Sequence, residues 1–281
     1  MNERVTLLPA PASLQAHVVC IVRREVQGDE QAGALPGTVP ANAYACLNLV
    51  ARPGHVRLDE SRELLPRAFV TGPFTAPLRT QAQAPLRSLS VVLQPWLLSH
   101  WFGLAPARMV NALQDLEDAA LTDLLASVDQ PERLAPALLA LATRGERFEK
   151  EAAEARRLIG AVSQCTTVSE AAAMARLSER HFMRKFEVLL GLNPVAWRRV
   201  KRFESALEQM ANEPASKAQL GHIALDSGYS DQAHMTREFR AITGCTPSAL
   251  RLGLSADAPG LWAFKPALHT PRASTAQADC P

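Results

Sequence analysis

Arginine side chains at helical spacing are the groups in this sequence that are best suited to molecular recognition. They lie in segments 178–194 and 231–247, where four residue types recur at one constant offset of 53 positions: Arg184, Phe186, Gly191 and Pro194 correspond to Arg237, Phe239, Gly244 and Pro247. A repeat of this size indicates a duplicated supersecondary unit. Because a guanidinium group presents several fixed N–H donors, the chemistry it suggests is noncovalent binding to planar or anionic acceptors.

Patterns typical of catalysis or metal binding are absent from the sequence. It contains no G-x-S-x-G motif, no phosphate loop and no pair of acidic residues at a spacing typical of catalysis. His17, His55 and His100 are too far apart in sequence to specify a metal site, and the five cysteines form no Cys-x-x-Cys pair. We therefore expect no enzyme activity, no catalytic residue, no cofactor, no metal, and cysteines that stay reduced.

Composition is typical of a water-soluble globular protein of two domains. The chain has 281 residues, 47% of them hydrophobic and 21% charged, with a net charge of +2. Residues 150–251 hold 15 Lys and Arg against 11 Asp and Glu, an excess of four, so the remainder is slightly acidic. The N-terminus lacks an apolar signal core and no run approaches the roughly 20 apolar residues of a membrane span, so we expect a cytoplasmic location.

The first hundred residues are rich in Val, Ile and other strand-forming residues. Four segments predict strands: 17–26, 43–51, 67–74 and 87–95. Stretches containing Pro, Gly and Asp, such as 27–40 and 51–54, are expected to separate them as turns. Several short strands at this spacing favour a small antiparallel barrel or sandwich. Such a barrel either holds a small ligand or has a filled core that only dimerises or packs.

Helical periodicity replaces the strand pattern from about residue 95. Apolar residues recur at three- and four-residue steps over 97–128 and 131–144, and Gly145 then interrupts the pattern. Residues 149–165 predict another amphipathic helix that leads into the repeat. These helices are interpreted as connectors or as a dimer interface.

Each copy of the repeat predicts two helices joined by a tight turn. In the first copy a helix over 168–175 is followed by a turn at Arg176 and Leu177, and Ser178 is expected to cap the second helix. In the second copy the helix and turn cover 220–230, and Asp231 is the expected cap. Glycine ends both second helices, since Gly191 and Gly244 can adopt the left-handed conformation found after a helix.

The second helix of each copy has one apolar face and one polar face. The apolar faces hold Phe182, Phe186, Leu189 and Leu190 in the first copy and Met235, Phe239 and Ile242 in the second. The outward faces hold Arg180, Met183, Arg184 and Glu187 in the first copy and Ala233, Thr236, Arg237 and Arg240 in the second. This arrangement describes a helix-turn-helix, whereas either copy alone would fit a plain helical hairpin with a solvated arginine face.

A long uninterrupted helix over 194–211 connects the two copies. It would extend about 25 Å, which is enough, once helix widths are added, to place two recognition helices about one duplex turn apart. Four basic residues cluster near its start: Arg198, Arg199, Lys201 and Arg202. They are expected either to contact phosphates or to form an ordinary solvated face.

Residues 155–252 resemble the DNA-binding domain of the AraC/XylS family of bacterial transcription regulators, which pairs two helix-turn-helix motifs through one long helix. The resemblance rests on the segment from Ser178 to the GLNP at 191–194 and on IALDSGYSDQAHMTREF at 223–239 followed by GCTP. Arg176 departs from the family, many of whose members have glycine in that turn. Residues 10–145 resemble, more weakly, the cupin-like sensing domains of some members.

The resemblance implies which residues bind DNA. In the first copy they are Ser178, Arg180, His181, Met183, Arg184 and Lys185, and in the second they are Gln232, Ala233, Thr236 and Arg237. Arginine can bind guanine with two hydrogen bonds, glutamine prefers adenine, and alanine or the threonine methyl can pack against thymine. The sequence does not assign individual arginines to bases or phosphates.

The resemblance also implies the organisation and function of the whole chain. We expect an α+β protein of two domains: a β-rich, cupin-like sensing or dimerisation domain with connector helices over 1–145, and an all-α double helix-turn-helix domain over 150–252. Residues 253–281 are expected to form a disordered tail, in which Leu261, Trp262 and Phe264 could pack back locally. The implied function is an effector-responsive transcription activator with double-stranded DNA, RNA polymerase, a small-molecule effector and a second copy of the chain as partners. The alternatives are an enzyme with a catalytic N-terminal barrel and a DNA-targeting domain, or a constitutive DNA-binding protein without a ligand.

Overall fold

Among the described residues up to position 115, nine strands form two antiparallel sheets. The computed structural model describes residues 2–28, 33–51, 54–59, 61, 63–116, 121–142, 148–212 and 217–265. The strands are β1 (Asn2–Leu8), β2 (Val18–Gln27), β3 (Ala34–Val39), β4 (Ala45–Ala51), β5 (His55–Leu58), β6 (Ala68–Thr71), β7 (Leu78–Gln83), β8 (Leu86–Leu93) and β9 (Leu113–Asp115). One sheet has the order β1-β2-β8-β4-β6-β9 and the other the order β3-β7-β5.

The two sheets share an apolar core, and together they form the β-sheet domain. Val26, Val50 and Phe69 of the six-stranded sheet belong to the same buried cluster as Leu35 and Ala82 of the three-stranded sheet. Strand β8, which lies between β2 and β4, is buried along most of its length. This two-sheet architecture followed by helices confirms the predicted α+β fold class.

Ten α-helices lie after β8 in the part of the chain that the structure describes. They are α1 (Leu97–Phe102), α2 (Leu121–Ala126), α3 (Leu134–Ala142), α4 (Phe148–Gln164), α5 (Val168–Met174), α6 (Glu179–Leu190), α7 (Pro194–Asn212), α8 (Lys217–Asp226), α9 (Gln232–Thr243) and α10 (Pro247–Ser255). Short 3-10 turns lie at Pro106–Arg108 and Trp262–Phe264, among other places. Among the described residues, no helix combines the length and the apolar character that a membrane span requires.

The sequence predicted the four inner strands of the six-stranded sheet, β2, β8, β4 and β6, but missed several edge elements. All of β3 lies in segment 27–40, which was expected to be a turn. Pro36 is tolerated there because β3 is the outer strand of its sheet, where a missing N–H donor does not interrupt the ladder. Strand β9 lies within 97–128, which was expected to be helical, and it pairs with β6 through Phe69 and Asp115. The predicted interruption at Gly145 lies outside the described residues.

The segment after α10 is ordered, so the prediction that a disordered tail starts at residue 253 is wrong for the described part, which ends at 265. Phe264 is completely buried. The carbonyl oxygen of Gly260 accepts a hydrogen bond from the Thr38 N–H of β3 at 3.2 Å, and its own N–H donates to the Glu3 carboxylate at 2.7 Å. These contacts attach the segment 256–265, which we name the C-terminal strap, to the β-sheet domain. Local packing of Phe264 agrees with the sequence-based expectation.

The C-terminal helices pack directly on the β-sheet domain at three further points. The Ala41 N–H donates to the carbonyl oxygen of Ile242, near the end of α9, at 3.0 Å. Gly191, at the end of α6, lies so close to the Pro106 carbonyl oxygen that an added Cβ would be 2.9 Å from it. Between these points, Lys201 of α7 donates a hydrogen bond to the Tyr44 hydroxyl. The β-sheet domain therefore contacts both repeat copies and the helix that joins them.

Candidate nucleic-acid interface

The first repeat copy has the predicted helix-turn-helix geometry. Helix α5 begins at Thr167 with a reciprocal capping box, in which the Thr167 side chain accepts from the Glu170 N–H and Glu170 accepts in return. Ser178 caps α6 by accepting from the His181 N–H at 3.4 Å, and Gly191 ends α6 with a φ of 78°. Ser178 therefore has a defined structural role in the place where the sequence predicted a DNA contact.

The turn of the first copy keeps the left-handed geometry that the family usually gives to glycine. Arg176 has a φ of 52°, in the region that residues with a Cβ rarely occupy. Gly228 occupies the same place in the turn of the second copy, one position out of the 53-residue register, since its N–H and that of Arg176 each donate to the carbonyl oxygen three residues earlier; its φ is 81°. The two turns therefore share a backbone conformation, and the arginine adopts it at a steric cost that glycine avoids.

Helix α6 divides into the two faces that the sequence predicted. Phe182 and Phe186 are completely buried, and the Phe186 ring meets the edge of Trp197 of α7 at a centroid distance of 6.0 Å. On the other face Arg180 and Arg184 are exposed, and neither side chain has a hydrogen bond or ion pair with any described residue. His181 and Met183 lie beside them and are half-buried.

Lys185 differs from the other basic residues of α6 because it is already paired. Its ammonium group contacts the Glu154 carboxylate of α4 at 2.7 Å, and Arg157 holds the same carboxylate at 2.8 and 2.9 Å. The hydrogen bonds from Arg157, reinforced by Lys185, lower the pKa of Glu154 to about 2. A DNA phosphate would therefore have to compete with Glu154 for the Lys185 ammonium group.

The second copy repeats this construction on α9. Asp231 accepts from the His234 N–H at 2.6 Å, and this hydrogen bond lowers the pKa of Asp231. Met235, Phe239 and Ile242 are completely buried, and the Phe239 ring meets Phe203 of α7 at a centroid distance of 4.8 Å. Gly244 ends the helix with a φ of 78°.

The outward face of α9 carries the four residues predicted to contact DNA. Gln232, Ala233 and Arg237 are exposed, and Thr236 is half-buried. The Thr236 hydroxyl donates to the Gln232 carbonyl oxygen at 2.8 Å, which leaves the threonine methyl group as its outward surface. The Arg237 side chain has no hydrogen bond or ion pair with the rest of the described chain, and it lies close enough to Asp231 for a favourable Coulombic interaction.

Helix α7 joins the copies and orients them through buried aromatic contacts. Its 19 residues extend about 28 Å at the usual rise per residue. Trp197, near its start, packs on α6, while Phe203, two turns later, packs on α9. The helix therefore fixes one recognition helix at each of two points along its length.

The four basic residues near the start of α7 have intramolecular roles. Arg198 donates to the carbonyl oxygens of Val162, Cys165, Thr166 and Thr167 at the end of α4, with distances from 2.6 to 3.3 Å. Arg199 and Arg202 both bind the Glu238 carboxylate of α9, and Lys201 binds Tyr44 and Glu204. These side chains hold the fold together, so neither phosphate contact nor simple solvation accounts for their positions.

Burial and the neighbouring groups have opposite effects on the pKa of Lys201. Burial disfavours the ammonium charge, but Glu204 and Tyr44 more than offset it, so the pKa of Lys201 lies above its usual value. Burial also raises the pKa of the Tyr44 hydroxyl. The pair therefore stays an ammonium donor and a neutral hydroxyl at neutral pH. Within the described part of the chain, no group of three or more His, Cys, Asp or Glu side chains is arranged to hold a metal ion.

Comparison with known proteins agrees with this geometry. Residues 171–253 match the family described as "Helix-turn-helix domain". This C-terminal part is a double helix-turn-helix domain of the AraC type, which confirms the resemblance seen in the sequence.

The relatives match this domain alone. The virulence regulon transcriptional activator VirF of Yersinia enterocolitica and the thermoregulatory protein LcrF of Yersinia pestis are each 34% identical over 71 residues. That match covers 25% of this chain, and it spans only a quarter of the length of each relative. A structure of ToxT from Vibrio cholerae O395 aligns with 90% of this chain and 98% of its own at 9% identity and a TM-score of 0.43.

Proposed function

We propose that this chain is a sequence-specific, DNA-binding transcription regulator that reads two successive major grooves with α6 and α9. The observation that carries the proposal is the outward face of the two recognition helices. Arg180, Arg184 and Arg237 are exposed there and have no hydrogen bond or ion pair with other described residues, while the opposite faces are fully buried. Their donors are therefore available to base edges and phosphates.

The proposed contacts separate into three kinds. Arg180, Arg184, Gln232 and Arg237 supply donors to base edges or phosphates, whereas Met183, Ala233 and the Thr236 methyl group supply apolar contact. His181 and Lys185 lie at the edge of this face and contact the sugar-phosphate backbone of the DNA. Ser178 acts chiefly as a helix cap, which orients the first N–H groups of α6 towards a phosphate.

The remaining parts of the proposal concern the rest of the chain. Residues 150–252 form the DNA-binding domain, and residues 1–145 form a sensing or dimerisation domain that has no enzymatic role. Because two of the relatives are named as an activator and a thermoregulatory protein, we propose activation of transcription with RNA polymerase as a partner. Since such a regulator acts on the chromosome, we also propose a cytoplasmic location, and we propose that the β-sheet domain supplies a small-molecule site or a dimer contact.

The test begins with selection of bound fragments from sheared genomic DNA by the full-length chain. Arg180→Ala and Arg237→Ala are then compared with the parent on the selected site, and Arg4→Ala serves as a control because Arg4 is exposed on β1, far along the chain from both helices. Loss of one base contact should weaken binding by about 1–3 kcal/mol, which is about 5- to 150-fold. Unchanged affinity in a folded Arg180→Ala/Arg237→Ala double variant would refute the assignment.

A further inference from the structure

A cavity lies where the β-sheet domain, helix α7 and the C-terminal strap meet. Its volume is about 130 Å³, and its walls are predominantly apolar. Both sheets contribute to it, and Phe203 and Glu204 of α7 and Trp262 and Ala263 of the strap complete it. Since an apolar cavity of about 150 Å³ can hold a benzene ring, this space accepts a molecule built on one ring.

Three polar atoms on the cavity walls have no hydrogen-bond partner among the described residues. They are Nη2 of Arg24, Oγ1 of Thr80 and Nε1 of Trp262, and all three are buried. Arg24 is only 2% exposed, so water does not supply the missing acceptor from bulk solvent. A buried donor without an acceptor destabilises the protein, and a ligand that supplies one recovers that free energy on binding.

These polar atoms are close to one another. The Thr80 hydroxyl and the Trp262 indole nitrogen lie 3.2 and 3.3 Å from a single point, the position that a Cβ on Gly37 would occupy. The guanidinium carbon of Arg24 lies 5.1 Å from the centre of the Trp262 ring. One small acceptor group could therefore be reached from all three side chains.

The charges at the cavity are already compensated. Arg24 binds the Glu3 carboxylate at 2.6 Å, and Lys201 binds Glu204 at 2.7 Å. An anionic ligand would add a negative charge with no unpaired cation among the described residues that line the cavity, in a site that water solvates poorly. A neutral carbonyl or hydroxyl oxygen accepts the same hydrogen bonds without that cost.

We propose that this cavity binds an uncharged, mainly apolar molecule of single-ring size whose carbonyl or hydroxyl oxygen accepts hydrogen bonds from Arg24 and Trp262, with Thr80 beside them. Its regulatory consequence rests on the proposed DNA-binding function, whereas the binding itself does not. Because α7 and the strap both line the cavity, the ligand contacts the helix that sets the spacing of α6 and α9. The site therefore connects ligand occupancy to the geometry of DNA recognition.

Three probes of matched shape test the ligand class on the full-length chain. Acetophenone carries a neutral acceptor, cumene has the same outline without one, and benzoate replaces the methyl group of acetophenone by a charged oxygen. Affinities are measured without DNA, by isothermal titration and ligand-observed NMR. Because cumene leaves water more readily than acetophenone, each affinity is divided by the water-to-hydrocarbon partition coefficient of the probe. On that scale we expect acetophenone to bind at least about threefold more tightly than cumene, since hydrogen bonds in the site replace those that its carbonyl loses to water, and we expect its direct affinity to exceed that of benzoate.

Each contrary outcome removes a defined part of the proposal. Equal affinity for cumene and acetophenone after correction for their partition coefficients rejects the acceptor site, and benzoate binding as tightly as acetophenone rejects the charge argument. Absence of binding by all three probes at millimolar concentration rejects the cavity as a site of this size. DNA affinity is measured separately, so a chain that binds acetophenone but no DNA refutes the regulator function and leaves the ligand site standing.

Two variants locate the site. Trp262→Phe removes the indole N–H and keeps an aromatic ring, and it should reduce the preference for acetophenone over cumene by about threefold or more. Trp101→Phe is the matched control, because the Trp101 nitrogen is also buried without a partner among the described residues but does not line the cavity. A preference that survives Trp262→Phe, or that Trp101→Phe reduces equally, overturns the assignment.

Discussion

Substitution of Arg202 of α7 tests whether this side chain stabilises the fold or binds phosphate. Its Nη2 atom lies 2.8 and 2.9 Å from the two oxygens of Glu238, and its Nε atom lies 3.1 Å from one of them. Glu238 is only 8% exposed, so its carboxylate depends on these bonds and on Arg199 at 3.2 Å. The variant Arg202→Met keeps most of the apolar stem of the side chain and removes the donors.

We expect Arg202→Met to destabilise the protein by about 2–3 kcal/mol. A fully buried pair that loses one partner costs about 3–5 kcal/mol. The Arg202 side chain is 29% exposed and Arg199 remains beside Glu238, so the cost should be smaller. Urea unfolding of the full-length chain measures the loss, and hydrogen exchange of the α9 amides shows whether it is concentrated in the second repeat copy.

A double-mutant cycle with Glu238→Gln supplies the control. If the two side chains stabilise the fold through each other, the double variant should lose about 1–2 kcal/mol less than the sum of the single variants. A phosphate-binding Arg202 gives the opposite pattern: full stability, additive variants, and a salt dependence of DNA affinity whose slope falls by about 0.9. That pattern would refute a structural role for Arg202.

Two other predictions concern the first repeat copy. Arg176→Gly should stabilise the protein by about 0.5–1 kcal/mol, because glycine adopts a φ of 52° without steric cost, whereas Ala173→Gly in α5 should lose about 1 kcal/mol. If both variants lose the same free energy of unfolding in urea, this explanation of the turn is wrong. The pKa of Glu154 is depressed to about 2, so its contribution to stability is present above the unfolded pKa of about 4.3 and is lost as the pH falls towards 2. Unfolding midpoints of the parent and Glu154→Gln should therefore converge between about pH 5 and pH 2, and a difference that stays constant over this range would show that Arg157 and Lys185 do not depress the pKa.

Local signals in the sequence predicted the repeat with high fidelity. Ser178, Asp231, Gly191 and Gly244 lie where the sequence placed them because caps and helix ends depend on residues within one turn of each other. The faces of α6 and α9 were equally predictable, since helical periodicity fixes which side chains share a side. The turn at Arg176 was predicted as a departure, and the structure shows that only the residue type departs.

Long-range partners were not predictable from one sequence. Nothing local indicates that Arg198 binds the end of α4 or that Glu238 collects two arginines of α7, since each contact joins residues more than 30 positions apart. The basic residues near the start of α7 therefore suggested a surface that contacts phosphates or faces solvent. The structure shows instead that their side chains bind other parts of the protein. Strand β3 was missed for a similar reason, because its pairing with β7 outweighs the local preference of Pro36 for a turn.

The cavity residues left one usable signal in the sequence. Arg23 and Arg24 are adjacent in the apolar strand β2, and successive side chains of a strand point to opposite faces. One of the two arginines must therefore face the core, and the structure shows that it is Arg24. Trp262 gave no comparable signal, because its segment resembles a flexible tail in composition.

The hydrogen bond from Gly260 to Glu3 joins residues 257 positions apart and has a consequence for synthesis of the protein. At about 5–20 residues per second, the ribosome makes Glu3 some 13 to 50 seconds before Gly260. During that interval β1 and β2 can pair, but the Arg24–Glu3 ion pair and the apolar walls beside it lack the strap that covers them in the finished protein. The nascent β-sheet domain therefore presents an open apolar cleft to solvent, and its closure is among the last steps of folding.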